Sequence, residues 1–411
     1  MNTLFLTLLY DPDDVTQVRS LTRGSMQNQI NTYQWAFIDG LRMNMGSEEK
    51  LQIVNALPVG IFPLHYRQLW LRGKRKEAMT ELPSLNLPWF KQKMRAMYAK
   101  RTLEQWVAAS PDNRNILVYS LYLPYMEAVA HVKRRHPDVR ATIIVTDLPN
   151  ELGIASGRKG LLKWIEFRMG EKRTSLCTAF DGFVLLTRHM AEALPIDGKP
   201  TLVIEGLASP PQAIDPAALP ILPEDARPAV LYTGTLNREL GIDLLLDAFA
   251  QIRDAQLWLC GHGDMSHAVQ AAAAQHDNIH YFGFVPQETA LALQDKAAAL
   301  INPRTSQGVF TRYSFPSKTM EYLRSGKPLL CCKLDGIPDD YDPYLTYIKP
   351  QTALGIQAAL AALLAKPPAE REAMGQRGKA YVLHEKSSKV QCAKLLGYMR
   401  TLHASHIAPK M

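Results

Sequence analysis

The feature that most limits what this chain can fold into is a rhythm: short apolar runs alternate with amphipathic stretches on both sides of a proline-rich segment. Before that segment the runs are Leu4 to Leu9, Asn115 to Tyr119, Ala141 to Val145 and Gly182 to Leu186. Helical patterns lie between them at Asn28 to Leu41 and Tyr125 to Arg135. After it come Ala229 to Tyr232, Gln256 to Cys260, Ile279 to Tyr281, Ala298 to Ile301 and Pro328 to Cys331. These are separated by helical patterns at Ile242 to Ile252, Met265 to Gln275, Gln287 to Lys296 and Ser317 to Arg324. Strands apolar on both faces need cover on both faces, as in parallel sheets flanked by helices. The alanines at 298 and 299 equally suit an extension of the preceding helix.

The segment Ser209 to Pro228 holds six prolines in twenty residues. Proline removes a backbone donor and disfavours helix in the residue before it, so the segment reads as a connector, though a surface loop inside one domain has the same composition. The expectation is an α/β chain with two doubly wound, Rossmann-like domains, residues 1–208 and 229–385, joined by a linker at 209–228. Leu354 to Leu364 and Lys389 to Leu402 read as terminal helices, and residues 386–411 are expected to pack back toward the first domain. Two such sheets place a cleft between the carboxyl ends of their strands, where doubly wound folds bind ligands.

A chain of 411 residues exceeds one ordinary core, and 47% hydrophobic with 21% charged residues excludes a disordered or fibrous chain. Mean hydropathy of -0.14 and no apolar run of about 18 residues exclude a helical membrane span by sequence. The first ten residues run without a basic segment into Asp11-Pro12-Asp13-Asp14, which reads as a buried strand rather than a signal peptide. The acidic run imitates a metal site, but turns bounded by proline are the commoner setting, and no metal is expected. Five cysteines without metal-ligand spacing suggest a reducing, cytoplasmic setting. A net charge of +8 asks for an anionic partner: nucleic acid, a nucleoside diphosphate or an anionic membrane all qualify.

The second half carries the most specific chemistry. Tyr232-Thr233-Gly234-Thr235-Leu236-Asn237-Arg238 is a strand end, a glycine turn and a cation ahead of a helix. Gly234 would let backbone approach a phosphate and Arg238 could supply a bidentate fork; an ordinary turn with a solvated arginine fits equally. Leu259-Cys260-Gly261-His262-Gly263 is a second glycine-bearing strand end, better read as a structural turn because it lacks the full dinucleotide fingerprint. In Phe315-Pro316-Ser317-Lys318-Thr319-Met320-Glu321, Lys318 falls in the first turn of a helix, where a cation opposes the helix dipole. A diphosphate at that helix end would reverse the penalty, and Glu321, one turn deeper, could accept hydrogen bonds from ribose hydroxyls. A surface lysine and a solvated glutamate are the plain alternative.

These stretches, with Tyr281 to Pro286 and Ile301-Asn302-Pro303-Arg304, resemble the donor-binding domain of retaining glycosyltransferases of family 4, which have the two-domain GT-B architecture. The phrasing is similar to bacterial enzymes that assemble exopolysaccharide, capsule or lipopolysaccharide. The resemblance implies a nucleotide diphosphate sugar donor, UDP- or GDP-linked, no cofactor, and metal-independent transfer without an assigned protein nucleophile. It puts Glu321 on the ribose, Phe315, Ser317, Lys318 and Thr319 at the diphosphate, and Phe284 and Val285 around the base. It also brings Gly234, Thr235, Arg238, Gly261 and Arg304 into the donor site, and Gly24 of the Leu21 to Asn28 loop onto the transferred sugar. Tyr313 stands where the family has the first of two glutamates, Thr235 where it has an arginine, and Leu240 where it has a lysine.

On the first half, Asp147 follows a buried strand and could orient or deprotonate an acceptor hydroxyl, or simply cap the next helix. Residues 67–101 hold ten cations against Glu77 and Glu81, interleaved with Trp70, Trp89, Phe90 and Tyr98. That mixture suits an interfacial helix on anionic lipid or a solvated basic face; no nucleic-acid motif accompanies it. The expected activity is sugar transfer to a polyprenyl-linked or glycan acceptor, by a cytoplasmic protein peripheral on the inner membrane face. A sugar-nucleotide epimerase and an inactive nucleotide-sugar-binding subunit are the competitors.

Overall fold

The computed structural model describes residues 1–24, 26–110, 112–148, 160–196, 198–210 and 213–407. Ser25, Pro149, Pro211 and Gln212, which belong to loops singled out above, lie outside the described residues. The chain divides into two units, residues 1–207 with 388–411, and residues 208–387.

The first unit is built on β1 (Asn2–Thr7), β2 (Lys50–Asn55), β3 (Trp70–Leu71), β4 (Met79–Glu81), β5 (Ser84–Leu85), β6 (Arg114–Tyr119), β7 (Arg140–Val145), β8 (Gly182–Leu185) and β9 (Thr201–Val203). Seven of these form one sheet in the order β4-β2-β1-β6-β7-β8-β9, with every neighbouring pair parallel. β3 and β5 pair antiparallel beside it. Helices α1 (Val15–Leu21), α2 (Asn28–Asn44), α3 (Phe90–Ala109), α4 (Leu123–Arg135), α5 (Leu161–Leu176) and α6 (Met190–Ala193) connect the strands.

The second unit contains β10 (Ala229–Thr233), β11 (Gln256–Cys260), β12 (Ile279–Tyr281), β13 (Ala299–Asn302), β14 (Leu329–Cys331) and β15 (Thr346–Tyr347). They form a wholly parallel sheet in the order β12-β11-β10-β13-β14-β15. Its helices are α7 (Ile242–Phe249), α8 (Ser266–Gln275), α9 (Gln287–Lys296), α10 (Ser317–Ser325), α11 (Ala353–Leu364) and α12 (Pro368–Glu385). The strand order reverses direction at β10 in this sheet and at β1 in the other, and each reversal leaves a crevice beyond the carboxyl ends of neighbouring strands. Ala299 therefore opens a central strand, buried throughout, and Ala298 lies in the bend before it rather than at the end of α9.

The final helix, α13 (Ser388–Ile407), belongs to the first unit. Cys392, Leu395, Leu396 and Met399 join Phe37, Ile38 and Leu41 of α2 in one buried cluster. Gly40 permits the close approach: a Cβ there would run into the backbone of Ser388 and the sulfur of Cys392. The proline-rich segment is not a free linker. Leu219 and Leu222 pack on the core of the second unit, so its described residues belong to that unit from Ala208 onward. Proline prevented regular structure there without preventing packing.

Candidate functional site

In the second unit the site assembles around the carboxyl ends of β10, β11 and β13. α10 begins after Pro316, with no side chain capping its first turn and no acidic residue within it. Gly326 closes it in the left-handed conformation at φ 82°, a position that glycine occupies at little cost. Lys318 folds back from the first turn over Gly234, whose φ is 152°. A Cβ at Gly234 would occupy the place of the Lys318 side chain, and a Cβ at Gly261 would strike the carbonyl of Gly234. The two glycines therefore let the strand-end loops and the lysine meet. Gly234 N–H donates to Cys260 O at 2.8 Å, and Gly261 N–H donates to Gly283 O at 2.8 Å.

Three tyrosine hydroxyls fix these loops. Tyr232 donates to Thr235 O at 2.8 Å and Tyr281 donates to Gly261 O at 2.9 Å. Tyr322, on α10, accepts from Thr233 N–H at 2.8 Å and donates to Thr233 O at 3.0 Å. Burial pushes the Tyr232 and Tyr322 hydroxyls well above the usual phenol range, so they remain protonated donors. Beside them, Lys318 Nζ lies 3.8 Å from Glu321 Oε2 and 5.4 Å from the centre of the Tyr322 ring. Gln294 of α9 donates to Glu321 Oε1 at 3.2 Å. Arg304, just past β13, donates to Ser314 Oγ at 3.1 Å, and burial draws its pKa downward.

The other expected donor residues separate into several settings. Ser317 and Thr235 are exposed, as is the Phe284 ring at 84%. Val285 is partly buried against the core of the unit. Arg238 is exposed and pairs with Asp243 at 3.2 Å, so its guanidinium is engaged on α7. Thr319 is fully buried; its N–H donates to Pro316 O, while its Oγ1 has no hydrogen-bond partner among the described residues. The Phe315 ring is also buried, 5.4 Å from the ring of Tyr341, and anchors the loop from beneath.

In the first unit, Gly24 lines a cavity of about 530 Å³ that also involves Tyr10, Arg23, His65, Lys91 and Arg95. Asp147 is exposed just beyond β7, accepts from Thr146 Oγ1 at 3.0 Å, and does not line that cavity. Asp11, Asp13 and Asp14 are engaged by lysines: Lys76 Nζ lies 2.6 Å from Asp11 and 2.7 Å from Asp13, and Lys74 Nζ lies 2.8 Å from Asp14. The acidic turn is thus an anchor for the segment that follows β3. The basic stretch 67–101 is not one interfacial helix. It contains β3, β4 and β5 before α3 begins at Phe90. Lys91 and Arg95 within it are buried, whereas Trp89, Phe90 and Met97 are exposed.

Residues 227–366 match the family model described as glycosyl transferases group 1. The matched stretch lies within the second unit. No curated protein matches the chain. Among solved structures, sucrose-phosphate synthase from Thermosynechococcus elongatus is 15% identical with a TM-score of 0.61, covering 98% of this chain and 100% of that one. The catalytic domain of starch synthase IV from Arabidopsis thaliana, bound to ADP and acarbose, is 10% identical with a TM-score of 0.63, covering 98% and 99%. The E. coli trehalose-6-phosphate protein bound with UDP-2-fluoro glucose is 10% identical with a TM-score of 0.60, covering both chains fully. These likenesses extend over both units and show the fold, two Rossmann-like parts of the GT-B type.

Sequence reasoning missed several residues. Gln294 holds Glu321 and Tyr322 holds the Thr233 backbone, each across a long stretch of sequence, and no local signal marks them. Lys91 and Arg95 carried a signal: with Ala99 and Leu103 they form a buried stripe at four-residue spacing on α3.

Proposed function

We propose that the chain is a retaining hexosyltransferase that moves a sugar from a UDP- or GDP-linked donor to a polyprenyl-linked or glycan acceptor in bacterial surface polysaccharide synthesis. The observation that carries this reading is Lys318 lying over the bare backbone of Gly234 at the start of α10. A cation and a helix N-terminus there together present positive charge to a diphosphate. Glu321, steadied by Gln294, stands one turn deeper for the ribose hydroxyls. Ser317, Thr235 and Gly261 supply further polar contacts, Arg304 adds charge, and Phe284 offers an exposed ring to the base. Asp147 serves the acceptor side in this proposal, and neither cofactor nor metal takes part.

The reading extends to a cytoplasmic protein resting on the inner face of the membrane. Among the described residues no helix is long and apolar enough to cross a membrane. Phe90, Lys93, Met97 and Arg101 are exposed at helical spacing on α3, with Trp89 ahead of them. Each such cation adds about 1 kcal/mol of attraction near an anionic bilayer.

The test is release of nucleoside diphosphate from a panel of UDP- and GDP-sugars, with and without acceptor. Lys318→Ala and Glu321→Ala are expected to lower kcat/KM by roughly 100-fold with the fold intact, as loss of a charged contact to a transition state does. Unchanged turnover in both variants contradicts the site. An altered sugar nucleotide from donor alone, without acceptor, identifies an epimerase instead. Tight donor binding without turnover, over a panel of acceptors, identifies a binding subunit.

A further inference from the structure

The cavity of the first unit has an unusual lining. It lies beyond the carboxyl ends of β1 and β2, with the loop at Arg23 and Gly24 and the first turns of α3 along its wall. Arg23, His65, Lys91 and Arg95 all face it, and among the described residues no aspartate or glutamate does. Two of these residues are buried, Lys91 with 6% and Arg95 with 2% of its surface exposed. Their partners are neutral. Lys91 Nζ donates to Val59 O, and Arg95 donates to Leu57 O at 2.7 Å, Tyr122 Oη at 3.1 Å and Ser84 Oγ at 3.3 Å. Among the described residues neither cation enters an ion pair of 4.0 Å or less.

Burying two cations whose direct partners are all neutral, with Glu81 acting on Arg95 only at longer range, costs several kcal/mol, and an apolar residue at either position would remove that cost. Packing alone does not ask for them, because the rest of the stripe is alanine and leucine. Hydrogen-bonding capacity also remains: one carbonyl takes one of the three ammonium protons of Lys91, and three acceptors leave two of Arg95's five N–H groups. The site is rich in donors and, among the described residues, contains no carboxylate acceptor. A neutral sugar, whose hydroxyls must both donate and accept, matches that lining poorly. A phosphate presents only acceptor oxygens and negative charge, and arginine matches its geometry in bidentate fashion.

We propose that this cavity is the acceptor pocket and that it holds its substrate through a phosphate group, monoester or diphosphate. The acceptor role rests on the glycosyltransferase reading; the phosphate chemistry rests on the cavity alone. Its volume leaves room for a sugar ring beside the phosphate. The phosphate could belong to a water-soluble sugar phosphate or to the head group of a polyprenyl diphosphate, which share this chemistry.

Calorimetric titration of the full chain, with UDP present in excess to occupy the donor site, separates the cases. The probes are inorganic pyrophosphate, glucose 6-phosphate, glucose, farnesyl diphosphate and farnesol. Pyrophosphate and at least one phosphate ester are expected to bind, with glucose and farnesol at least tenfold weaker. Lys91→Met and Arg23→Ala should each weaken the phosphate ligands about tenfold or more, as loss of a charge-assisted hydrogen bond does. Arg23 is exposed, so its variant keeps the test open should Lys91→Met fold poorly. Preference for farnesyl diphosphate assigns the lipid head group, and preference for glucose 6-phosphate assigns the free sugar phosphate. Phosphate binding that is insensitive to both variants, or glucose binding as tightly as glucose 6-phosphate, overturns the proposal. Phosphate binding at Lys91 in a chain that turns over no sugar nucleotide would leave the pocket standing while the transferase reading fails.

Discussion

The two units present cations at the carboxyl ends of parallel sheets, yet they hold them in opposite ways. In the second unit Lys318 is partly exposed, lies near Glu321 and comes from a helix start adjoining a glycine loop. In the first unit Lys91 and Arg95 are buried among neutral partners, well inside a helix face. The first arrangement is locally encoded: a loop, a helix start and a glycine at short spacing. The second exists only after β1, β2 and α3 have come together. A cation near a carboxylate costs the fold little, whereas a pair of buried cations is tolerated at the expense of stability.

That contrast can be broken by substitution. The largest effects belong to catalysis, the roughly 100-fold losses expected for Lys318→Ala and Glu321→Ala, followed by the tenfold losses of phosphate affinity for Lys91→Met and Arg23→Ala. Gly40→Leu comes next and acts on stability alone. Its side chain would have to enter the contact between α2 and α13, so the first unit should lose about 1–3 kcal/mol in chemical denaturation. Sugar-nucleotide binding by the second unit is expected to persist, and an unchanged denaturation midpoint would show that the helix contact is looser than the structure has it.

Smaller, but diagnostic, is a pH dependence. Burial, with Arg95 beside it, draws the Lys91 ammonium down from 10.5 to about 7. Between those values the unfolded chain binds more protons than the folded one, so this group makes stability rise with pH from about 7 toward 10.5. Glu81 acts in the opposite sense: burial raises its carboxyl from 4.5 to about 7, so its contribution falls across that window. Stability from these two groups should therefore pass through a minimum near pH 7. Lys91→Met should abolish the rise on the alkaline side while raising stability at neutral pH. A variant whose profile matches the parent chain would mean that Lys91 is solvated. The smallest effect concerns membranes: Trp89→Ser with Phe90→Ser should weaken sedimentation with anionic vesicles several-fold and leave turnover of soluble substrates unchanged.

Much of the second unit was legible in the sequence because its strands are buried and apolar from end to end. Gln256 to Cys260 and Ile279 to Tyr281 have the expected limits, as does the helix Gln287 to Lys296. The first unit was harder. β2 begins with exposed Lys50 and alternates before it is buried, and β4 and β9 are only three residues long, so none forms an apolar run. At the proposed donor site, the helix positions of Lys318 and Glu321 were visible in the sequence, but the burial of Thr319 and the pairing of Arg238 with Asp243 depend on neighbours that a linear motif does not reveal. The stretch 67–101 shows the same limit. Its charge suggested a surface, while helix spacing turned two of its cations inward.

The most direct test of the central claim, a donor site built on Lys318 and Gly234, is thermal unfolding with a panel of UDP- and GDP-sugars. A ligand that binds the folded state at 100 times its Kd adds about 2.7 kcal/mol and raises the midpoint accordingly. At least one sugar nucleotide should raise it in the parent chain, and the shift should largely vanish in Lys318→Ala. An equal shift in parent and variant, or no shift with any sugar nucleotide, would contradict the account.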